Sequence, residues 1–229
     1  MSLKFYEVNI DYVNLLKEKE KEKRGVTKIP DIEYENSNKF LCGVVMQVDG
    51  LDYFAPVSSN KQKFGTSILI TDNKGEVKSS IRFSFMFPVP KNLVTPKDFS
   101  KLSKSDYSLV IKEAKFCKKN SEKIETFAKK IYSKYNKYSK FEKRTEYQEN
   151  FLSNCGDFKL YEEICKLCIT KEKEQEEKKK QIKKDDNIKQ KTSFNDIKKS
   201  IAEYRRSKKE NSENLINKKS KNKSFKIEH

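Results

Sequence analysis

The stretch KFLCGVVMQVDGLDYFAPV, residues 39 to 57, constrains the fold more than any other part of the chain. Two runs rich in β-branched and aromatic residues flank Asp49-Gly50. That pair accepts the positive φ angles of a two-residue turn, so the segment predicts a tight antiparallel hairpin. TSILITD and EVKSSIRFSFMFPVP bracket Asn73-Lys74-Gly75 and predict a second hairpin, ending at Pro88 and Pro90. KFYEV, residues 4 to 8, alternates like a further strand. Several short antiparallel strands are expected to close on one another as a compact barrel-like sheet or half-barrel.

Helical periodicity flanks these strands. Asn9 is placed to cap a helix in which Ile10, Val13 and Leu16 share one face, and Lys17 opens its solvated, charge-rich end. RGVTKIPDIEYENSN follows as a polar loop. From Ser105 the helical period returns in Leu109, Ile111, Phe116 and Cys117, then in Ile124, Phe127, Ile131 and Tyr135, with a break near Asn120. CGDFKLYEEICKLC reads as one more short helical element. The predicted class is α+β, with helices around an antiparallel sheet.

Charge divides the chain in two. Of 51 basic and 34 acidic residues, 20 and 11 fall in 171–229, a Lys-rich low-complexity segment with few apolar positions. Residues 1–170 therefore hold the core, and 171–229 form a charged tail, helical or disordered. Its one amphipathic island places Phe194, Ile197, Ile201 and Tyr204 on one helical face. A formal net charge of +17 favours a polyanionic partner, since each cation that neutralises a phosphate releases a counterion. Nucleic acid comes first and an acidic membrane surface a distant second. No run of about 18 apolar residues and no signal peptide occur, and five cysteines at irregular positions fit reduced thiols of a cytoplasmic protein. The single C-x-x-C, Cys165 and Cys168, has no second ligand pair and reads as a helix face rather than a zinc site.

Chemistry is concentrated after the first hairpin. The strand ending at Pro56 delivers Ser58, Ser59, Asn60, Lys61 and Lys63 to one loop, in a chain whose only histidine is His229. RNA cleavage by the 2′-hydroxyl needs a base, an acid and donors for the phosphorane oxygens, and here lysine, tyrosine, serine, arginine and carboxylates must supply them. No metal-hydrolysis or nucleotide-binding motif is present. An ordinary lysine, with a pKa near 10.4, costs about 4.6 kcal/mol to deprotonate at pH 7, so a fixed positive charge is the natural role for such a group. The same loop also reads as a solvated turn. Arg82 beside Phe83 and Phe85, and Lys134 and Lys137 among Tyr132, Tyr135, Tyr138 and Phe141, are further candidates for RNA contact, or one wet and one buried face.

Four segments, in order, resemble the toxin endoribonucleases of type III toxin–antitoxin systems, the ToxN/AbiQ family. They are LKFYEVNIDYVNLL, YENSNKFLCGVVMQVDGLDYFAPVSSNK, FMFPVP and NCGDFKLYEEIC, together spanning about residues 3 to 165. The resemblance implies a compact barrel related to the MazF and Kid toxins. It also implies metal-independent cutting of single-stranded cellular or phage RNA to a 2′,3′-cyclic phosphate, without a cofactor. A repeated, pseudoknot-like RNA antitoxin, which the toxin trims, would inhibit it within a multimeric protein–RNA complex, and neither DNA nor membrane is expected as a partner. Carried over by position, the implied site is Tyr12, Lys39, Ser58, Ser59 and Lys61, with Tyr34 in the entrance loop. Asn60 stands where the family commonly has proline, which predicts a less rigid loop. QKFG follows Lys61 where members often carry a histidine, so no imidazole role transfers. A non-catalytic RNA-binding module, with the loop as a phosphate clamp, is the alternative. A structural tether working through the tail helix is a third.

Overall fold

The computed structural model describes residues 3–31, 41–100, 102–174, 177, 178, 199 and 206. The chain divides at Thr170/Lys171 into two units, and the architecture below is that of the first. Strand β1 (Lys4–Val8) leads into helix α1 (Ile10–Arg24), then β2 (Leu41–Val48) and β3 (Leu51–Ser58). The second hairpin is β4 (Ser67–Thr71) and β5 (Val77–Arg82), followed by the short strands β6 (Phe87–Pro88) and β7 (Val94–Pro96). Helices α2 (Lys104–Lys119), α3 (Ser121–Ser139) and α4 (Glu146–Ser153) complete the core with a helix, α5, over 158–170.

Local chemistry sets the ends of these elements. Asp49 and Gly50 take φ of 50° and 78°, the paired positive angles that let a two-residue turn join β2 to β3. Gly43 is required by packing: a Cβ there would lie 2.2 Å from the ring of Phe54 on the facing strand. The Asn9 side chain accepts the Tyr12 N–H and caps α1, while Gly25, at φ 73°, closes its C-terminus. Asn120 separates α2 from α3.

The sheet is antiparallel, ordered β4-β5-β3-β2-β1-β7, with β6 on β3. It does not close, which corrects the expected barrel. Among the described residues β4 and β7 share no ladder, and both edges resist extension. β7 has three residues and ends in a proline, whereas α2 packs against β4, β5 and β1. The expected long second strand also breaks. After Arg82 the chain enters a 3₁₀ turn, Phe83–Phe85, before pairing again as β6. β3 is thereby shared: its end, Val57–Ser58, pairs with β5, and Tyr53–Phe54 pair with β6. Proline lacks an N–H, so Pro88 cannot donate to the ladder beyond that point.

Helix α3 lies against β2 and buries Ile124, Ala128, Ile131 and Tyr135, a stripe at helical spacing. Tyr135 in turn contacts Phe158 of α5, with ring centroids 4.6 Å apart. Charged groups also enter this core. Glu20 is fully buried and accepts from Arg24 (2.9 Å), Thr27 Oγ1 (2.8 Å), the Lys28 N–H (2.7 Å) and the Asp157 N–H (3.0 Å). The end of α1 is therefore not wholly solvated: Glu20 continues the inward stripe of Val13 and Leu16. Glu162 on α5 similarly accepts from Tyr53 at 2.8 Å, from Tyr132, and from Lys159 at 2.9 Å.

Candidate active site

Strand register gathers several chain segments at one end of the sheet. Tyr6 pairs with Leu41, and Leu41 with Pro56. Two residues further on, the C-termini of β1 and β3 lie at the same end, where β2 begins and α1 is capped. Ser80 of β5 adds to them as the ladder partner of Ser58.

The loop leaving this end is exposed yet ordered by its own polar groups. Ser58 is half-buried, and its hydroxyl accepts the Asn60 N–H at 3.2 Å. Asn60 Oδ1 accepts the Gln62 N–H at 2.8 Å, and Ser80 Oγ donates to the Asn60 carbonyl at 2.7 Å. The Asn60 side chain thus forms an Asx turn, and its carbonyl is tethered across to β5. The returning half is fixed by Ser67, which receives the Phe64 N–H at 3.0 Å. The Arg82 guanidinium lies between the rings of Phe64 (4.4 Å) and Phe85 (4.9 Å). Burial lowers the Arg82 pKa from its ordinary value, and among the described residues its Nε has no hydrogen-bond partner. Ser59, Lys61 and Lys63 remain exposed, without hydrogen-bond or ion-pair partners among the described residues. The backbone is therefore held while two ammonium groups and a hydroxyl face water.

Residues 4–166 match the protein family described as toxin ToxN, type III toxin-antitoxin system. The chain belongs to the ToxN family. It is a homologue of the ToxN endoribonucleases: that of Bacillus thuringiensis subsp. kurstaki is 25% identical over 169 residues, 71% of this chain and 82% of that protein. The fold is shared with a chain from a type III system in which a non-coding RNA pseudoknot selectively inhibits the toxin. That likeness has a TM-score of 0.62 at 24% identity and covers 72% of this chain and 97% of the other. AbiQ, a lactococcal anti-phage endoribonuclease of a type III system, has the same fold at TM-score 0.61 and 21% identity, over 74% and 99% of the two chains.

The positions carried over from the ToxN family do not all meet in solvent. Tyr12 starts at the right end of the sheet, in the first turn of α1, but it is only 3% exposed and its hydroxyl donates to the Pro88 carbonyl at 2.8 Å. Pro88 pairs with Tyr53, five residues along β3 from Ser58. Burial first, and then the Cys165 thiol, push the Tyr12 phenol far above the usual tyrosine range. In this geometry Tyr12 braces α1 against β6. Tyr34 and Lys39 lie outside the described residues.

The remaining candidates divide. Arg82 joins the loop through Phe64. Lys134 does not reach outward: it bonds the Tyr147 hydroxyl and lies over the rings of Tyr147 (4.8 Å) and Phe151 (4.7 Å), fastening α3 to α4. Lys137 is exposed on α3. The tyrosines around these lysines turn inward, Tyr132 and Tyr135 onto Phe158 and Tyr138 onto Phe151. Sequence reasoning missed Phe64 and Ser80, which hold the two halves of the loop. The adjacent serines of KSSIRF carried the only signal, and within a strand they read as an ordinary polar face. Among the described residues no three His, Cys, Asp or Glu side chains form a metal-binding group. No described helix is long and apolar enough to cross a membrane.

Proposed function

We propose that the Ser58–Lys63 loop is the cutting edge of a metal-independent endoribonuclease acting on single-stranded cellular or phage RNA. The 2′-oxygen attacks the adjacent phosphorus and gives up its proton, the bond to the 5′-oxygen breaks, and that oxygen leaves with a proton. The products are a 2′,3′-cyclic phosphate and a 5′-hydroxyl. Lys61 supplies fixed positive charge to the phosphorane oxygens, and Ser59 with Ser58 orients the reacting groups. Lys39 is a second phosphate cation by family position, and Lys63, Arg82 and Lys137 contact the RNA on either side. Tyr12 acts as a positioning residue through Pro88. One aimed donor in such a site is worth roughly 2.7–4 kcal/mol.

The observation that carries this reading is the contrast within the loop. Its backbone is tied by Asn60, Ser67 and Ser80, while Ser59, Lys61 and Lys63 have no partner among the described residues. The names of relatives support the class, and the family supports a folded repeat RNA as inhibitor and processing substrate in a multimeric complex. Residues 1–170 would form the toxin domain of a cytoplasmic protein, and the Lys-rich 171–229 would add nonspecific RNA affinity. The test is incubation of purified protein with 5′-labelled single-stranded RNA in excess chelator. Cyclic-phosphate fragments are expected, and their loss in folded Lys61→Ala and Ser59→Ala variants. Binding without cutting would replace the nuclease with a clamp.

A further inference from the structure

A second concentration of positive charge lies away from the loop. The β4–β5 turn and one side of α2 enclose a cleft of about 870 Å³, lined by Lys74 from the turn and by Lys112, Lys115 and Lys119 from the helix. The three helical lysines are exposed and follow i, i+3, i+7, so they share one face. At 1.5 Å per residue they extend over about 10 Å. The facing hydrophobic stripe of α2, with Val110 and Cys117, is buried, which fixes the rotation that presents the lysines to the cleft.

Among the described residues no carboxylate neutralises these four charges. The one carboxylate lining the cleft, Asp72, already accepts the N–H groups of Lys74 (2.9 Å) and Glu76 (3.0 Å) and pairs with Lys78 at 3.4 Å. Glu76 also pairs with Lys78, at 2.6 Å. None of Lys74, Lys112, Lys115 and Lys119 has an ion-pair partner among the described residues. Three ammonium groups spread along two turns of helix, with a fourth on the facing turn, suit several phosphates in a row better than a single inorganic phosphate. A concave cleft also admits a chain of phosphates, whereas a flat bilayer surface cannot follow it inward. The hairpin separates this cleft from the Ser58–Lys63 loop by roughly 17 Å, the length of a five-residue strand.

We propose that the β4–β5/α2 cleft is a second, non-catalytic RNA-backbone site, which holds a segment flanking the one at the loop. The proposal rests on RNA being the partner, but not on its being cut. The test uses full-length Lys61→Ala protein, single-stranded oligonucleotides of four and sixteen nucleotides, and binding measured across salt concentrations. The triple substitution K112Q/K115Q/K119Q is expected to weaken the sixteen-mer at least about ten-fold. It should reduce the magnitude of the slope of log K against log salt by about 2, at ~0.7 per phosphate contact on a single strand. The tetranucleotide should bind as before, and K112R/K115R/K119R should retain the sixteen-mer. Equal loss on both lengths, an unchanged salt slope, or an arginine variant as weak as the glutamine one would overturn the proposal. If the unsubstituted protein fails to cut RNA while the length-dependent loss persists, the nuclease reading fails and the cleft stands.

Discussion

The two ends of α1 handle charge in opposite ways. At its C-terminal end Glu20 is sealed from solvent, and its carboxylate is satisfied by Arg24, Thr27 and two backbone N–H groups. At its N-terminal end the sheet releases a loop whose Lys61 and Lys63 find no partner among the described residues. The first arrangement uses charge to join α1, the following loop and the start of α5. The second leaves its charge exposed to solvent. Partnering, more than the presence of charged residues, separates framework from function in a chain with 51 basic and 34 acidic residues.

The sharpest way to break that contrast is to remove one member from each end. Glu20→Ala takes the carboxylate from Arg24, which keeps the Cys155 carbonyl, and leaves the Lys28 and Asp157 N–H groups without their acceptor. It should cost about 3–5 kcal/mol of unfolding free energy, as for other broken buried pairs, read by chemical denaturation. A cost near zero would mean that the hub is dispensable. Lys61→Ala should do the reverse, leaving the denaturation midpoint in place while RNA cleavage falls about 10²–10³-fold. If both substitutions moved stability and neither moved cleavage, the distinction between the ends would disappear.

Tyr12 lies between the two categories and sharpens the boundary. Tyr12→Phe keeps the ring and deletes the hydrogen bond to the Pro88 carbonyl. Leaving a buried acceptor unpaired costs about 1–3 kcal/mol. The loss should appear in stability, with only a modest fall in cleavage and no change in its pH profile. A cleavage loss on the scale of Lys61→Ala, with stability intact, would return Tyr12 to direct chemistry.

Local signals were legible in the sequence where one residue type has one physical use. Asp49-Gly50 specified its turn, Asn9 its cap and Asn120 the break between helices, because each depends on its neighbours alone. Closure of the sheet was not legible. It turns on the 3₁₀ step at Phe83–Phe85 and on Pro88, whose effect depends on which strand lies beside them. Glu20 was hidden in a run of alternating lysines and glutamates, where only its phase relative to Val13 and Leu16 marks it as inward. The contacts of Lys134 with Tyr147 and Phe151 were not legible, because those rings belong to α4, which the periodicity does not reveal. In the candidate site, the exposed loop could be read from its residue types. The tethers from Ser80, Ser67 and Arg82 needed three-dimensional pairing.

Glu113 supplies the last comparison, since it is buried like Glu20 but lacks that residue's ring of donors. It lies on the inward stripe of α2, and burial raises its pKa against the opposing effect of the Ser79 hydroxyl. An acid whose folded pKa exceeds its unfolded value, near 4.3, stabilises the fold at low pH. That advantage fades as pH climbs from the unfolded value through the folded one. Glu113→Gln mimics the protonated form. It should therefore unfold at higher denaturant concentration than the unsubstituted protein at pH 7, with the difference vanishing below about pH 4. The effect should be smaller than that of losing Glu20 and opposite in sign. If Glu113→Gln were destabilising at neutral pH, the carboxylate would have to possess donors of its own, and burial alone would no longer distinguish it from Glu20.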